Sequence, residues 1–289
     1  MPHSANTIGK VKNSGKQVAD QAAFSPIVEV MARLGYAARG LIYFTIGMLA
    51  VQLAIGAGGT AADQQGAIAV IGRQPFGRIL LWVILVGLVS YALWGLVRAI
   101  LDPLHKGHDM KGIMERVGFM FSAVSYTILI LPTYAVIAGG AKQAHNGAQG
   151  EKTQIYIGKI LEMSWGRWMV GIIGFIVVGV GLLQIYQGIR KKFDSQIHLK
   201  PLSRRKLMWF KRLGRFGTVA RGIIFALIGV FLMLAAYHSN PSQAKGFDGA
   251  LLSLMHQPYG AYLMGIIAIG LAAMGIYSFF IALWLRLKG

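Results

Sequence analysis

One four-residue phrase occurs twice in this chain, as Gln74-Pro75-Phe76-Gly77 and Gln257-Pro258-Tyr259-Gly260, and each time it opens a long apolar run. A worn third copy, Ser164-Trp165-Gly166, opens another. The match extends around the phrase at a constant spacing, pairing Gly66-Ala67 with Gly249-Ala250, Gly87-Leu88 with Gly270-Leu271, and Trp94 with Tyr277. Self-similarity at a fixed period restricts the fold to copies of one supersecondary unit packed on one another. Each copy holds an apolar run on either side of the phrase, so the unit is a membrane-crossing helical hairpin and the chain is its triplication.

Hydrophobic residues make up 55% of the chain and charged residues 13%, with mean hydropathy +0.55. A polytopic membrane protein is the class that fits this balance. A spanning helix needs ~20 mostly apolar residues, and six segments qualify, at about residues 36–56, 79–101, 117–138, 168–190, 219–238 and 262–285. The 38 glycines suit close helix-to-helix approach where water cannot drive association. The expected fold is therefore all-α integral membrane: six transmembrane helices as three tandem parallel hairpin repeats about a pseudo-threefold axis, with short interfacial amphipathic helices. The expected organisation is a cytoplasmic tail over 1–26, repeat 1 over 27–104, repeat 2 over 105–194, a basic cytoplasmic connector over 195–212 and repeat 3 over 213–289.

Six spans put both termini on one side. Of the 29 lysines and arginines, 22 fall in the N-terminal segment, the second and fourth loops and the C-terminus, and 7 in the other three loops. The positive-inside rule then makes both termini cytoplasmic. Most of the formal charge of +19 faces the anionic inner leaflet. No signal-peptide core precedes the first span, which must itself direct insertion. A pI near 10.3 raises nucleic acid as a partner, but charge excess marks membrane surfaces equally. The basic residues are scattered along loops, and no nucleic-acid partner is expected. With no cysteine in the chain, disulfides and thiolate metal sites are excluded.

The first helix of each unit carries Arg33-x-Gly35-Tyr36-x-x-Arg39-Gly40-x-x-Tyr43, repeated as Arg215-x-Gly217-Thr218-x-x-Arg221-Gly222-x-x-Phe225 and weakened to Arg116-x-Gly118-Phe119-x-x-Ser122-Ala123-x-x-Tyr126. Residues at intervals of three, four and seven share one helix face, so Gly35, Ala38 and Gly40 beside Tyr43 predict a close-packed seam. In the second helices, Gly87, Trp94 and Arg98 correspond to Gly179, Tyr186 and Arg190 and to Gly270, Tyr277 and Ile281. The aromatic falls near the cytoplasmic end each time, where an interfacial anchor is expected. Pro75 and Pro258 sit where a returning helix begins, the first helical position that proline tolerates. Phe76, Trp165 and Tyr259 then mark the outer surface. In the fourth connector Ser203 can cap a short helix with Leu207, Phe210, Leu213 and Phe216 on one face. Arg204, Arg205, Lys206, Lys211 and Arg212 surround that face, and such a helix is expected on the membrane surface, bound to anionic headgroups. Residues 8–22 show a fainter version.

Two charges lie inside apolar spans at equivalent positions, Arg39 and Arg221. Such a charge marks a bundle interior, a partner or a ligand, and three readings are open: snorkelling to the cytoplasmic surface, structural pairing, or a cytoplasmic-side pocket for a lipid phosphate or carboxylate. Ser122 makes any such pocket asymmetric. All seven histidines avoid the span centres, against a haem held mid-membrane. Asp102, His105, His108 and Asp109 form a weak metal-like cluster in a short loop, and His105 and His108 are its candidate ligands. No cofactor is expected. No acid lies within a span, so a carboxylate proton relay is absent. The remaining intramembrane polar groups, Gln52, Gln184, Gln187, Ser90, Ser125 and Thr127, suit interhelical bonding. Nucleophile-elbow, His-Glu-x-x-His and phosphate-loop motifs are absent.

The run Arg33-Leu-Gly-Tyr-Ala-Ala-Arg-Gly, followed by Gly66-Ala67, Gln74-Pro-Phe-Gly-Arg78 and a glycine-rich span ending in Tyr91, Trp94 and Arg98, resembles a bacterial family of membrane proteins. That family is built from three tandem two-helix copies of a domain of unknown function, the domain of unknown function 1206 family. The resemblance covers residues 27–286, closely in the first and third copies and less so in the second. It implies the fold and a bacterial cytoplasmic (inner) membrane location, and brings no established activity. The expected role is a non-enzymatic structural or accessory protein that contacts anionic lipids and other membrane proteins or copies of itself. The alternative is a transporter or channel for a small or anionic solute through the three-repeat bundle, and a lipid-modifying enzyme ranks third.

Overall fold

The structure is a computed structural model that describes residues 26–101, 109–139, 148–190 and 204–285. Among these, three pairs of long α-helices each enclose one short α-helix: α1 Pro26–Ala54, α2 Gln64–Gly72, α3 Gly77–Leu101, α4 Met110–Ile137, α5 Ala148–Leu161, α6 Gly166–Ile189, α7 Arg204–His238, α8 Phe247–Met255 and α9 Gly260–Trp284. The six long ones are each apolar and long enough to cross a membrane. We call the end at which α1 begins proximal and the opposite end distal. The distal loops, expected to be irregular, hold the short helices. Asp63 and Asp109 start α2 and α4 by accepting from the N–H groups of Gly66 and Gly112, which satisfies donors that a helix start leaves free. Asp109 is thus a cap, while the amphipathic stretch at 8–22, Asp102, His105 and His108 lie outside the described residues.

The repeated phrase is a turn that precedes the returning helix, which corrects the expected helix start at proline. Pro75 and Pro258 stand two residues before the helices begin at Gly77 and Gly260. In each copy the glycine N–H donates to the glutamine carbonyl at 2.8 Å, and the aromatic between them is left-handed, φ 62° at Phe76 and 60° at Tyr259. Proline second and positive φ third are the signature of a type II turn. The glycine follows from packing: a Cβ on Gly77 would collide with the Ile71 carbonyl, and one on Gly260 with that of Met255. Gly166 presses on Ile160 in the same way, but Trp165 keeps φ −100°. The worn copy therefore needs no proline. All three aromatics are exposed at the distal end.

Laterally the long helices follow the order α4, α3, α1, α9, α7, α6. The most extensive contacts join different units, α6 with α7 and α1 with α9. The predicted seam on α1 accordingly divides. Gly35 and Ala38 face α3, where a Cβ on Gly35 would stand 2.6 Å from that of Tyr91 and one on Gly87 2.5 Å from that of Ala38. Gly40 faces α9, with a Cβ placed 3.0 Å from the Gly275 carbonyl, and Gly47 one heptad on does the same against Ala268 at 2.8 Å. Gly222 and Gly229 reproduce this between α7 and α6, at 2.8 Å from the Gly181 carbonyl and 2.7 Å from that of Gly174. Glycine on both sides lets the backbones meet, the main source of helix affinity in lipid.

The second unit breaks the pattern. Its helices α4 and α6 do not pack along one another, although α1 with α3 and α7 with α9 do. Gly118 and Gly179, equivalent to Gly35 and Gly87, would find nothing within 4 Å of an added Cβ. Phe121 stands where the other units have Ala38 and Ala220, and it is 66% exposed. The apolar stretches of α4 and α6 are 22% and 17% buried, against 39% or more in the other four long helices. Distally the two are bridged, because α5 touches both α6 and α2, and α2 rests on α4.

Two further expectations are corrected. The basic stretch before the fifth span is not a separate surface helix: α7 runs unbroken for 35 residues. Phe210, buried, packs against Tyr277 and Phe280 at ring separations of 4.5 and 6.0 Å, so this turn is held to α9. Trp94 and Tyr277 are not interfacial anchors but are buried, 4% and 3% exposed, while Tyr186 in the open unit is 43% exposed.

Candidate functional site

Arg39 lies eleven residues into the α1 span and fifteen from its distal end, ~23 Å at 1.5 Å per residue. Arg221 lies ~26 Å from the distal end of α7 by the same measure. Against a hydrocarbon layer of ~30 Å, both sit within its proximal part. Each is partly buried and turned into the bundle. Arg39 donates from Nη1 to the Tyr91 hydroxyl at 3.3 Å and stands over the Tyr43 ring at 5.7 Å. Arg221 donates from Nε to Gln184 Oε1 at 2.7 Å.

Two further tyrosines flank Tyr91. The rings of Tyr91 and Tyr126 are 4.5 Å apart, and Tyr36 meets Tyr91 edge-on at 5.4 Å. The two ends of the lateral order, α4 and α6, are joined distally through α2 and α5, so the row of helices curves. A third cation, Arg98, is 7% exposed and stands over Phe119 at 4.4 Å, with the rings of Tyr91 and Trp94 each at 5.5 Å. Its Nε and Nη2, and Nε of Arg39, have no hydrogen-bond partner. Among the described residues none of Arg39, Arg98 and Arg221 is paired with a carboxylate, whereas Arg33 pairs with Glu29 on α1. Ring faces contribute ~0.5–2 kcal/mol each to a guanidinium, less than the several kcal/mol that burying a charge costs. The cluster is an interior surplus of positive charge lined by phenols.

The other candidates do not join it. Gln52 and Gln187 are exposed. Ser122, at the Arg39 position of α4, is half-buried, Ser90 is buried, and Ser125 and Thr127 donate to the carbonyl one turn back on their own helices. Of the basic stretch, Arg205 and Arg212 are exposed and Lys211 is half-buried; Arg212 stands over the exposed Trp209 at 5.6 Å. Arg204 and Lys206 lie in the same first turns of α7. This surface is nine or more residues, ~14 Å, before Arg221 along the helix. Sequence reading missed Arg98 and the three tyrosines as interior groups. It also missed Arg33 and Arg116: Arg33 donates to the Leu285 carbonyl at 3.2 and 2.7 Å, and Arg116 to Ala99 at 2.8 Å and Ile100 at 3.0 Å. Each closes the end of a helix in another unit, a role suited to a cation at a helix C-terminus. The available signal was that this arginine, with Arg215, is the charge all three copies share.

Residues 34–102, 117–191 and 216–284 each match the domain of unknown function DUF1206. The chain is also 33% identical over 253 residues to an uncharacterised protein of Bacillus subtilis strain 168, YxxB, covering 88% of this chain and 90% of that one. No solved structure matches it. With three copies of the domain spread over most of its length, this chain belongs to the DUF1206 family.

Proposed function

We propose that this protein is a non-enzymatic, multi-pass protein of the bacterial cytoplasmic membrane that holds the headgroup of an anionic lipid at its interior arginines and acts as a structural or accessory partner of other membrane proteins. Both termini are cytoplasmic in this reading, so the proximal end faces the cytoplasm, as the excess of lysine and arginine there favours. The three units stand about a pseudo-threefold axis. Support for that arrangement comes from α1, α4 and α7 each lying against the second helix of another unit, and from Arg33 and Arg116 capping those helices.

The observation that carries the proposal is that three inward cations, Arg39 and Arg98 at Tyr91 and Arg221 at Gln184, have no carboxylate paired to them among the described residues. Guanidinium groups form charge-assisted bonds with phosphate oxygens, and phenol hydroxyls add donors. The exposed cations Arg205 and Arg212 beside Trp209 provide a second, peripheral attraction to the same leaflet. Native mass spectrometry of the full chain, purified in mild detergent, tests the interior site. Wild type is expected to retain phosphatidylglycerol or cardiolipin, and the Arg39→Gln, Arg221→Gln double variant to retain at least fivefold less, with phosphatidylethanolamine unchanged. Equal retention of anionic lipid by the two proteins rejects the reading.

A further inference from the structure

The open second unit and the arginine cluster belong to one feature. The helices that fail to close, α4 and α6, each lend a residue to the cluster: Tyr126 from α4, its ring 4.5 Å from that of Tyr91, and Gln184 from α6, which accepts from Arg221. In units one and three the corresponding space is filled by contact of glycine with a neighbouring side chain. In unit two Gly118 and Gly179 face open space, and Phe121 and Leu183 are 66% and 48% exposed. The bridge from α5 to α2 closes the distal end only. What is left is an apolar cleft that ends, at the depth of the proximal leaflet, at Tyr126, which packs on the Arg39 partner Tyr91, and at Gln184, which is bonded to Arg221.

We infer that this cleft between α4 and α6 is the lateral seat of one anionic glycerophospholipid, its phosphate at Arg39 and Arg221 and its acyl chains running distally along Val124 and Ile128 of α4 and Gly179 and Ile176 of α6. The inference rests on the lipid-binding reading and adds where the lipid enters and lies. Charge decides the occupant. A second copy of the chain would bring a net charge of +19 toward cations that already lack a counter-charge, whereas a lipid brings the missing negative group together with chains of matching polarity. Replacement of alanine by phenylalanine at position 121 keeps the two helices from closing as the others do, because a ring cannot enter a seam sized for a methyl group.

The chain contains no cysteine, so single labels are straightforward. Leu183→Cys carries a bimane in the cleft, and Val86→Cys, on an exposed face of α3, serves as reference. Both are reconstituted as full chains into phosphatidylcholine vesicles containing a minor fraction of phosphatidylglycerol or phosphatidylcholine brominated near the top of the acyl chain. The expected result is quenching at 183 at least threefold stronger by the anionic lipid, no preference at 86, and loss of the preference at 183 when Arg39 and Arg221 are glutamine. Equal quenching by the two lipids at 183, or none because a protein neighbour covers it, overturns the inference. The wild-type comparison needs no destabilising variant. If arginine-dependent lipid retention persists in mass spectrometry while position 183 shows no preference, the proposed function stands and the cleft assignment falls; if both vanish, both fall.

Discussion

Phe76 and Tyr259 hold a backbone conformation that costs a non-glycine residue ~1–2 kcal/mol, and the glycine after each cannot carry a Cβ without striking the preceding short helix. These two residues call for opposite substitutions. Tyr259→Gly is expected to leave thermal stability in detergent unchanged or raise it by ~1 kcal/mol, while Gly260→Ala lowers it by more than ~2 kcal/mol; a loss of similar size from both would show that the ring, not the turn, matters. The shared arginines make a separate prediction. Arg33→Gln removes two bonds to the Leu285 carbonyl and is expected to cost ~1.5–3 kcal/mol, the range for hydrogen bonds to a charged group. Hydrogen exchange read over the last turn of α9 should rise with it, and unchanged protection there would dismiss the capping role. Residue identity made the turn readable as an element boundary. Its geometry was not readable, because proline suits both a first helical position and the second place of a turn.

At the scale of the element, α7 shows where periodicity succeeds and where it stops. The spacing of Leu207, Phe210, Leu213 and Phe216 correctly marks a helix with an apolar side, yet it cannot say whether that helix ends before the span. Gly214 and Gly217 look like a break in sequence. In the structure Gly217 lies against Met274, where a Cβ would approach within 2.7 Å of its backbone, so its lack of a side chain serves packing. The continuous helix depends on Phe210 seated against Tyr277 and Phe280. Phe210→Ala is expected to cost ~3–5 kcal/mol by the usual scale for a buried aromatic, and to increase exchange across residues 204–214 without affecting the distal half of α7. Equal loosening of both halves would show that the proximal turns are not separately fastened.

For the whole molecule, the copies predict hairpins but not which hairpin faces which, since similar units leave several neighbours equivalent. The lateral order emerges only from unequal residues: glycines at Gly40 and Gly47 meeting Gly275 and Ala268, and Phe121 where an alanine would have closed the second unit. The cluster was half legible for the same reason. Arg39 and Arg221 were visible as charges in apolar runs, while Arg98 and Tyr126 lie on other helices and become neighbours only after packing. Cysteine pairs test the order. Ala54→Cys with Gly265→Cys, at a contact that places a Cβ on Gly265 3.8 Å from that of Ala54, the usual separation across a disulfide, is expected to cross-link rapidly under mild oxidation, and Gly118→Cys with Gly179→Cys is not. Comparable rates would refute the open second unit.

The pairing of α1 with α9 also sets a timetable. Gly40 and Gly47 of α1, and the hydrogen bonds of Arg33 to Leu285, find their partners only at α9, made long after α1. At ~5–20 residues per second, more than two hundred residues of intervening chain amount to a wait of roughly 10–50 s. During that interval α1 lies in the bilayer with its Gly40 and Gly47 surface uncovered, open to other newly made helices. A nascent chain halted before Gly260 would leave that surface exposed indefinitely, which makes α9 the part of this protein on which quality control of α1 depends.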